Sequence, residues 1–199
     1  MRRLRIFTVE DEGPVADSLN AGLRALGHEV VGTAKDGLEA VESALRYNPD
    51  LLIMDIRIPG IDGIEAAREI LAKRTMPIVL LTGYGDEELV RRASEAGVMA
   101  YILKPADIRQ LRSAVEVAWA RFVELQALTQ EVTGLKEALE TRKLVERAKG
   151  ILMDRLKLCE AEAFRRIQEG ARHRRMTMKE FAMKILEAGD LLETLGEGS

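Results

Sequence analysis

Four short apolar runs of the sequence are each followed by polar side chains that could carry out chemistry. These side chains are Glu10 and Asp11, Asp55, Thr82, and Lys104 with Pro105 after it. The carboxyl ends of parallel strands lie along one edge of a sheet, so the four groups are expected to converge. Three carboxylates held together repel one another and destabilise a fold unless a cation neutralises them. We expect Mg²⁺ there, because oxygen ligands and retained water molecules suit this ion.

The chemistry expected of this group is the acceptance of a phosphoryl group. Asp55 would be the nucleophile, which gives an aspartyl phosphate. Lys104 would form an ion pair with the phosphoryl group from the far side, and Thr82 would donate a hydrogen bond to it. Carboxylates at strand ends are often only solvated turn residues, but four polar strand ends in this order favour a phosphoacceptor site.

An alternation of strands and helices must position these residues. Short β-branched runs alternate with longer amphipathic segments as far as about residue 103, which is typical of βαβ units around a parallel sheet. The sequence therefore predicts an α/β fold with a doubly wound, five-stranded parallel sheet. Strands are predicted at 4–9, 30–33, 51–54, 78–81 and 100–103, and helices at 14–26, 37–47, 63–73 and 86–96.

Beyond Pro105 the pattern is helical throughout. Apolar residues at intervals of three and four predict a long helix over 108–139 with a coiled-coil-like seam. The stripe shifts by one position between Leu125 and Leu128, which resembles a three-residue stammer. The seam could pair between two chains or pack onto the same chain, and the pattern leaves both open.

A small all-helical region is expected at the C-terminal end. Its three helices are predicted at about 141–156, 160–171 and from 178 to 186 or beyond. The sequence does not show whether the first of them is separate from the long helix. The last begins with a capping box, because Thr177 is followed three residues later by Glu180.

The net charge of −3 hides an asymmetry between the two parts of the chain. Residues 140–186 contain 13 Lys and Arg against seven Asp and Glu, so this part is basic and the remainder is acidic. A basic region attracts polyanions, although a solvated helical surface would show the same excess. The single cysteine, Cys159, excludes a disulfide or a thiolate zinc site within the chain and fits the cytoplasm. We find no signal peptide and no apolar run of transmembrane length, so no membrane association is expected.

Four motifs resemble those of the receiver domains of two-component response regulators. They are Val-Glu-Asp-Glu at 9–12, Ile-Met-Asp-Ile-Arg-Ile-Pro-Gly-Ile-Asp-Gly at 53–63, Leu-Thr-Gly at 81–83 and Leu-Lys-Pro at 103–105. The resemblance covers about residues 3–122. It implies a flavodoxin-like sheet and a sensor histidine kinase as the partner that donates the phosphoryl group.

The same resemblance implies roles for individual residues. Tyr101 matches an aromatic switch residue, with burial of its ring as the alternative, and Tyr84 is a variation that implies nothing further. Glu10 stands where Asp is also common. Asp11, Asp55 and the backbone carbonyl of Arg57 would hold Mg²⁺, with Glu10 beside them. Thr82 would be the switch residue, and Lys104 would pair with the phosphoryl group. The peptide before Pro105 would be cis.

The C-terminal part resembles the ANTAR domain, a three-helix RNA-binding module of transcription antitermination regulators. The motifs are the Arg-Lys…Ala-Lys-Gly-Ile-Leu-Met block within 142–153, Glu-Ala-Phe at 162–164 and Phe-Ala…Ile-Leu within 181–186. This resemblance implies that paired RNA hairpins in leader transcripts are bound, so that a terminator does not form. Phe164 is expected in the core rather than as a base-stacking platform. The candidate RNA-binding cations are Arg142, Lys143, Arg147 and Lys149, expected on the helix face opposite Leu144, Ala148 and Ile151, together with Arg174, Arg175 and Lys179.

The expected organisation is a receiver domain over 1–122, a linker helix over 108–139 and an ANTAR-like domain over 140–199. We interpret the chain as a phosphorylation-controlled antiterminator that is not an enzyme and that forms a homodimer when phosphorylated. One alternative is DNA binding by a helix-turn-helix built from the last two helices, although their connection has no turn glycine. Another is an output that binds proteins and no nucleic acid, in which the arginines only solvate the helices.

Overall fold

The computed structural model of the chain describes residues 2–83 and 87–196, including the side chains of 2–83 and 91–189. The chain divides into two compact units, Met1–Gln126 and Ala127–Ser199. The first unit is built around a parallel sheet, and the second consists of helices. One helix, Ile108–Leu156, contributes to both units.

The N-terminal unit contains five parallel strands, which are β1 (Arg5–Val9), β2 (Glu29–Ala34), β3 (Leu51–Asp55), β4 (Ile78–Thr82) and β5 (Ala100–Leu103). Their order in the sheet is β2-β1-β3-β4-β5, which is the flavodoxin-like arrangement. The connecting helices are α1 (Gly13–Ala25), α2 (Gly37–Tyr47), α3 (Gly63–Lys73) and α4 (Glu87–Glu95). The predicted α/β fold is therefore confirmed.

Apolar layers cover both faces of this sheet. One layer packs the sheet against α2, α3 and α4, and the other packs it against α1 and the first turns of the helix that begins at Ile108. Every residue of β3 and β4 is buried, as the continuous apolar runs predicted. These central strands therefore fix the position of the residues at their carboxyl ends.

Two aspartate caps fix where α2 and α3 begin. The Asp36 side chain accepts a hydrogen bond from the Glu39 N–H, and the Asp62 side chain accepts one from the Glu65 N–H, each at 2.8 Å. Each bond satisfies a backbone donor that the first helical turn leaves unpaired. The predicted start of the next helix, Asp86, lies outside the described residues, as does Tyr84.

Three helices continue the chain: α5 (Ile108–Leu156), α6 (Glu160–His173) and α7 (Met178–Gly196). The linker helix and the first predicted output helix are one continuous helix of 49 residues. In the C-terminal unit, α5 contributes Val145 and Ala148 to a buried cluster that is completed from α6 and α7 by Ile167, Ala171, Phe181 and Ala182. The predicted capping box starts α7, where the Thr177 hydroxyl accepts from the Glu180 N–H and the Glu180 carboxylate accepts from the Thr177 N–H.

The seam of α5 is buried against the sheet at Leu111, Val115 and Ala118 and lies on the surface further along the helix. Among the described helices, none combines the length and the apolar character needed to cross a membrane. The seam residues in the C-terminal unit are large, apolar and about half exposed or more, and they are Leu128, Val132, Leu135 and Leu139.

Candidate functional site

The polar ends of three strands meet at one edge of the sheet. Glu10 directly follows β1, Asp55 ends β3 and Lys104 directly follows β5. Backbone hydrogen bonds hold these ends in place, because Glu10 N–H donates to the Ala34 carbonyl at 3.0 Å and Lys104 N–H donates to the Thr82 carbonyl at 2.8 Å. The convergence expected from the strand pattern is therefore present.

Lys104 bridges the two buried carboxylates of this group. Its Nζ atom lies 2.6 Å from Asp55 Oδ2 and 2.7 Å from Glu10 Oε2. Glu10 is 1% exposed and Asp55 is 6% exposed, so both ion pairs are shielded from solvent. A charged group buried to this extent must be paired, and Lys104 supplies the partner for both.

The neighbourhood shifts the protonation of two members of the site. Burial raises the pKa of Glu10 above its usual value of 4.5. The hydrogen bond from Lys104 acts to lower this pKa, and the repulsion from Asp55 acts to raise it. Burial acts to lower the pKa of Lys104, but hydrogen bonds to Asp55 and Glu10 outweigh it and raise the pKa above 10.5. Lys104 is therefore charged at neutral pH.

Asp11 completes a group of three carboxylates. One carboxylate oxygen from each of Glu10, Asp11 and Asp55 lies within 4.8 Å of the others, and Asp11 is the exposed member. Lys104 balances only part of this negative charge. The oxygen donor set and its residual charge suit a hard divalent cation that keeps part of its water shell on the exposed side.

Four further residues named from the sequence lie on or next to β3, β4 and β5. Thr82 is buried at the end of β4, and its hydroxyl lies 3.3 Å from the Gly83 carbonyl oxygen. Tyr101 is 52% exposed, so its ring is not buried and that alternative is wrong. Arg57 N–H donates to Asp55 Oδ1 at 3.3 Å, and the Lys104-Pro105 peptide is cis, as expected.

Two features beside Asp55 escaped the sequence analysis. A Cβ atom at Gly63 would overlap the carbonyl oxygen of Asp55, so the absence of a side chain lets α3 begin directly against the end of β3. Asp62, the cap of α3, also accepts a hydrogen bond from Arg92 of α4 at 2.9 Å. The glycine belongs to the segment that carries the receiver resemblance, but the ion pair joins residues 30 positions apart and had no sequence signal.

In the C-terminal unit, most of the candidate RNA-binding cations are exposed. Lys179 is half-buried in the first turn of α7. The exposed cations are Arg142, Lys143 and Arg147 on α5, and Arg174 and Arg175 in the connection after α6. The basic excess of this part therefore lies largely on its surface, where it can meet a polyanion.

Lys149 differs from the other cations, and the expectation that it lies on their exposed face is wrong. Its side chain is 8% exposed, and its Nζ atom lies 2.8 Å from a Glu146 oxygen and 2.6 Å from a Glu160 oxygen. The reason is its position beside Ala148, a core residue that is fully buried. Lys149 therefore joins α5 to the start of α6.

Phe164 also lies where the pattern did not place it. Its side chain is 43% exposed, whereas Ala163 and Ile167 are fully buried. Residues four apart share a helix face, so Ala163 and Ile167 define the core-facing side of α6 and Phe164 lies beside it. The expectation that Phe164 belongs to the core is wrong.

Two family profiles match the two parts of the chain. Residues 6–116 match the response regulator receiver domain, and residues 133–186 match the ANTAR domain. The chain belongs to the receiver–ANTAR response regulators. This family consists of regulators rather than enzymes, which confirms that expectation.

This receiver–ANTAR regulator is similar to curated proteins over both of its parts. It is 50% identical over 183 residues to the transcriptional regulatory protein PdtaR of Mycobacterium tuberculosis, and the match covers 92% of this chain and 89% of PdtaR. It is 33% identical over 138 residues to the regulatory protein AtoC of Escherichia coli, with 69% of this chain and 29% of AtoC covered. The likeness to PdtaR thus includes the output part.

Solved structures match the receiver part of this receiver–ANTAR regulator. The signal receiver domain of a modulated diguanylate cyclase from Desulfovibrio desulfuricans matches with a TM-score of 0.58 and 31% identity, over 63% of this chain and 99% of that chain. The response regulator domain of CheB from Thermotoga maritima matches with a TM-score of 0.52 and 31% identity, over 58% of this chain and 98% of that chain. Both support the receiver fold.

Proposed function

We propose that this chain is a phosphorylation-controlled transcription antiterminator that works in the cytoplasm. A sensor histidine kinase phosphorylates Asp55, and the C-terminal unit then binds RNA hairpins of leader transcripts. The observation that carries the proposal is the ion pair of Lys104 with Asp55 and Glu10 in a chain that also has an ANTAR domain. The proposed division is a receiver over 1–122, a linker helix over 108–139 and the ANTAR-like output over 140–199.

Asp55 accepts the phosphoryl group as a nucleophile. A carboxylate oxygen of Asp55 attacks the phosphorus of the donor's phosphohistidine, the P–O bond forms, and the P–N bond breaks as the imidazole leaves. Lys104 already lies 2.6 Å from Asp55, so its ammonium is in place to pair with a phosphoryl oxygen. The Thr82 hydroxyl then gives up its hydrogen bond to the Gly83 carbonyl and donates one to the phosphoryl group instead.

The acidic group is proposed to hold Mg²⁺. Its ligands are the carboxylates of Asp11 and Asp55 and the backbone carbonyl of Arg57, with Glu10 beside them. The donor set fits because three carboxylates lie together and, among the side chains that the structure describes, only the Lys104 ammonium pairs with the two buried ones. When bound, the ion offsets negative charge on the transferring oxygens.

The exposed cations of the C-terminal unit are proposed to bind the RNA backbone. Arg142, Lys143 and Arg147 lie within two turns of α5 and are exposed. The A-form major groove is too narrow for side chains to read a duplex, so specificity must come from unpaired loop bases. Hairpin loops are therefore the proposed target. Arg174, Arg175 and Lys179 extend the proposed RNA-contacting surface, whereas Lys149 acts through the structure of the unit.

A homodimer is proposed for the phosphorylated state, with the seam of α5 as its interface. Leu135 is 65% exposed and Leu128 is 53% exposed, so these apolar side chains gain burial if two seams pair. A dimer presents two RNA-binding surfaces at a fixed spacing. Tandem hairpins would then bind with avidity rather than singly.

Binding of the acetyl phosphate-treated chain to a tandem-hairpin RNA and to duplex DNA at matched salt tests the proposed output. The wild-type chain is expected to prefer the RNA, and its affinity should fall as the salt concentration rises because phosphate contacts release counterions. An Arg142→Ala, Arg147→Ala double variant should lose RNA affinity, while Gln130→Ala on the same helix should keep it. A preference for DNA would support a helix-turn-helix output, and salt-independent or absent binding to both would support a protein-binding output.

A further inference from the structure

The connection between α6 and α7 is held rigidly at both ends. Arg175 adopts a left-handed conformation with φ of 54°, and the Met176 N–H donates to the Ala171 carbonyl at 3.0 Å. This is a hydrogen-bonded helix end of the kind that satisfies the last free carbonyls. On the other side, the Thr177 capping box begins α7. The residue before Arg175, Arg174, is therefore displayed on a fixed backbone.

The side chain of Arg174 is also held in place. Its guanidinium carbon lies 5.2 Å from the centroid of the Phe181 ring, over the ring. A Cβ atom at Gly170 would overlap the Cζ and Cε1 atoms of Phe181, so the glycine lets the edge of the ring lie against the last turns of α6. Phe181 is 9% exposed and belongs to the buried cluster, so it forms a stable support. An arginine held over an aromatic ring is attracted to it electrostatically and loses side-chain freedom.

Arg174 differs from other arginines of the same region. Arg165 forms ion pairs with Glu162 and Glu169, and Arg166 forms one with Glu162, so nearby carboxylates offset part of their charge. Among the side chains that the structure describes, the Arg174 guanidinium has no carboxylate partner within ion-pair distance, and the residue is exposed. Its charge and its outer side are therefore available to a ligand.

We propose that Arg174, supported by Phe181, stacks on an unpaired loop base of the bound RNA and is thus a specificity-determining residue of the output unit. The inference rests on the proposed RNA-binding function and names the group that distinguishes a loop from a duplex. Unpaired RNA bases stack on guanidinium planes as well as on aromatic rings. The planar guanidinium of Arg174 is already ordered, so less freedom is lost on binding. Cations without such support, such as Arg142, bind phosphates instead.

The test uses the full chain phosphorylated with acetyl phosphate and Mg²⁺. It compares a hairpin RNA pool that carries 2-aminopurine in randomised loops with a blunt duplex of the same stem. Wild type is expected to prefer the hairpins and to quench the loop fluorophore by stacking. Arg174→Lys keeps the charge but removes the planar group, so hairpin affinity should fall by about tenfold, a typical value for one stacked base. Affinity for the blunt duplex should stay unchanged, and the quenching should disappear. Arg172→Lys is the matched control and should behave as wild type.

Phe181→Leu tests the support, because it removes the ring and keeps an apolar side chain. It should reduce hairpin preference and quenching as Arg174→Lys does, with circular dichroism used to show that the helices remain. If the Phe181→Leu variant unfolds, the Arg174→Lys variant alone tests the inference. Wild-type hairpin preference and quenching in Arg174→Lys would overturn the inference and leave the proposed function standing. Failure of the wild-type chain to bind either RNA would overturn both.

Discussion

The ammonium group of Lys149 lies 2.6 Å from a carboxylate oxygen of Glu160, so a buried cation on α5 holds the first residue of α6. The hydrogen bonds to Glu146 and Glu160 raise the pKa of Lys149 above 10.5, and the same pairing lowers the pKa of Glu160. The contact closes the turn between two helices of the output unit. Lys149 therefore has a structural role in holding the helices of the output unit together.

Removing this cation should destabilise the output unit. Lys149→Met is expected to lower the Tm of the chain, because it leaves Glu146 and Glu160 facing each other without the cation between them. Glu160→Gln should have less effect in the Lys149→Met background than alone, since the pair is already broken. Thermal unfolding of the two single variants and the double variant measures this. Additive changes in Tm would contradict a coupled pair.

The Asp62 cap predicts a specific pH dependence of stability. Burial alone would raise the pKa of Asp62, but hydrogen bonds from the Glu65 N–H and from Arg92 outweigh it and hold the pKa below 3.8. A carboxylate with a lowered folded pKa stabilises the fold above its unfolded pKa, and this contribution is lost as the pH falls through the folded pKa. The stability advantage of wild type over Asp62→Asn should therefore disappear below pH 3.8.

Urea unfolding over a pH series measures this effect. Asp62→Asn keeps a side chain that can cap α3, so at neutral pH it reports only the loss of the charge. Asp62→Ala also removes the cap and should cost a further amount of about 1 kcal/mol. A constant difference between wild type and Asp62→Asn down to the lowest pH would contradict the assignment.

Gly63 should tolerate no side chain. A Cβ atom there would overlap the Asp55 carbonyl, so Gly63→Ala is expected to cost about 1–3 kcal/mol of stability, as overpacking does. It should also slow phosphorylation, because it displaces the strand that carries Asp55. Gly13→Ala is the control, since the added Cβ would meet no atom within 4 Å beyond its chain neighbours and the backbone of its own helix. Equal stability of the two variants in urea would show that the contact between residue 63 and the Asp55 carbonyl does not determine the stability of the fold.

The exposed seam of α5 predicts a self-association that charge can block. Leu128→Glu with Leu135→Glu should abolish dimers formed in the presence of a phosphoryl mimic, because charges would be buried at the interface. The folding of the monomer should be unchanged, since both residues are exposed. Gln130→Glu adds a charge away from the stripe and serves as the control. Light scattering reports the mass, and dimers of the double variant would rule out this seam.

Much of the receiver fold could be predicted because its local signals agree with its tertiary structure. Helices α2 and α3 occupy the residues predicted for them, since Asp36 and Asp62 mark their starts and the apolar periodicity marks their length. The converging strand ends followed from the strand pattern alone. The ion pair of Asp62 with Arg92 could not be predicted, because it depends on how two helices pack.

The output unit was less predictable because helix periodicity does not fix which side chains at the edge of an apolar face are buried. Lys149 and Phe164 each follow a fully buried alanine and lie at such an edge. Lys149 is buried because two carboxylates neutralise it, whereas Phe164 remains exposed. The continuity of α5 was likewise undecided, because no residue in that stretch specifically favours or forbids a break.

Phosphorylation and RNA binding measured on the same samples test the central claim most directly. Wild type treated with acetyl phosphate and Mg²⁺ should gain one phosphoryl group by intact mass and bind a tandem-hairpin RNA more tightly, by a factor in the typical range of about 5 to 150 for such coupling. Asp17→Asn, which changes an exposed carboxylate of α1, should behave in the same way. Asp55→Asn should gain neither the mass nor the affinity. Undiminished labelling of Asp55→Asn, or a labelled wild type whose RNA affinity is unchanged, would contradict the account.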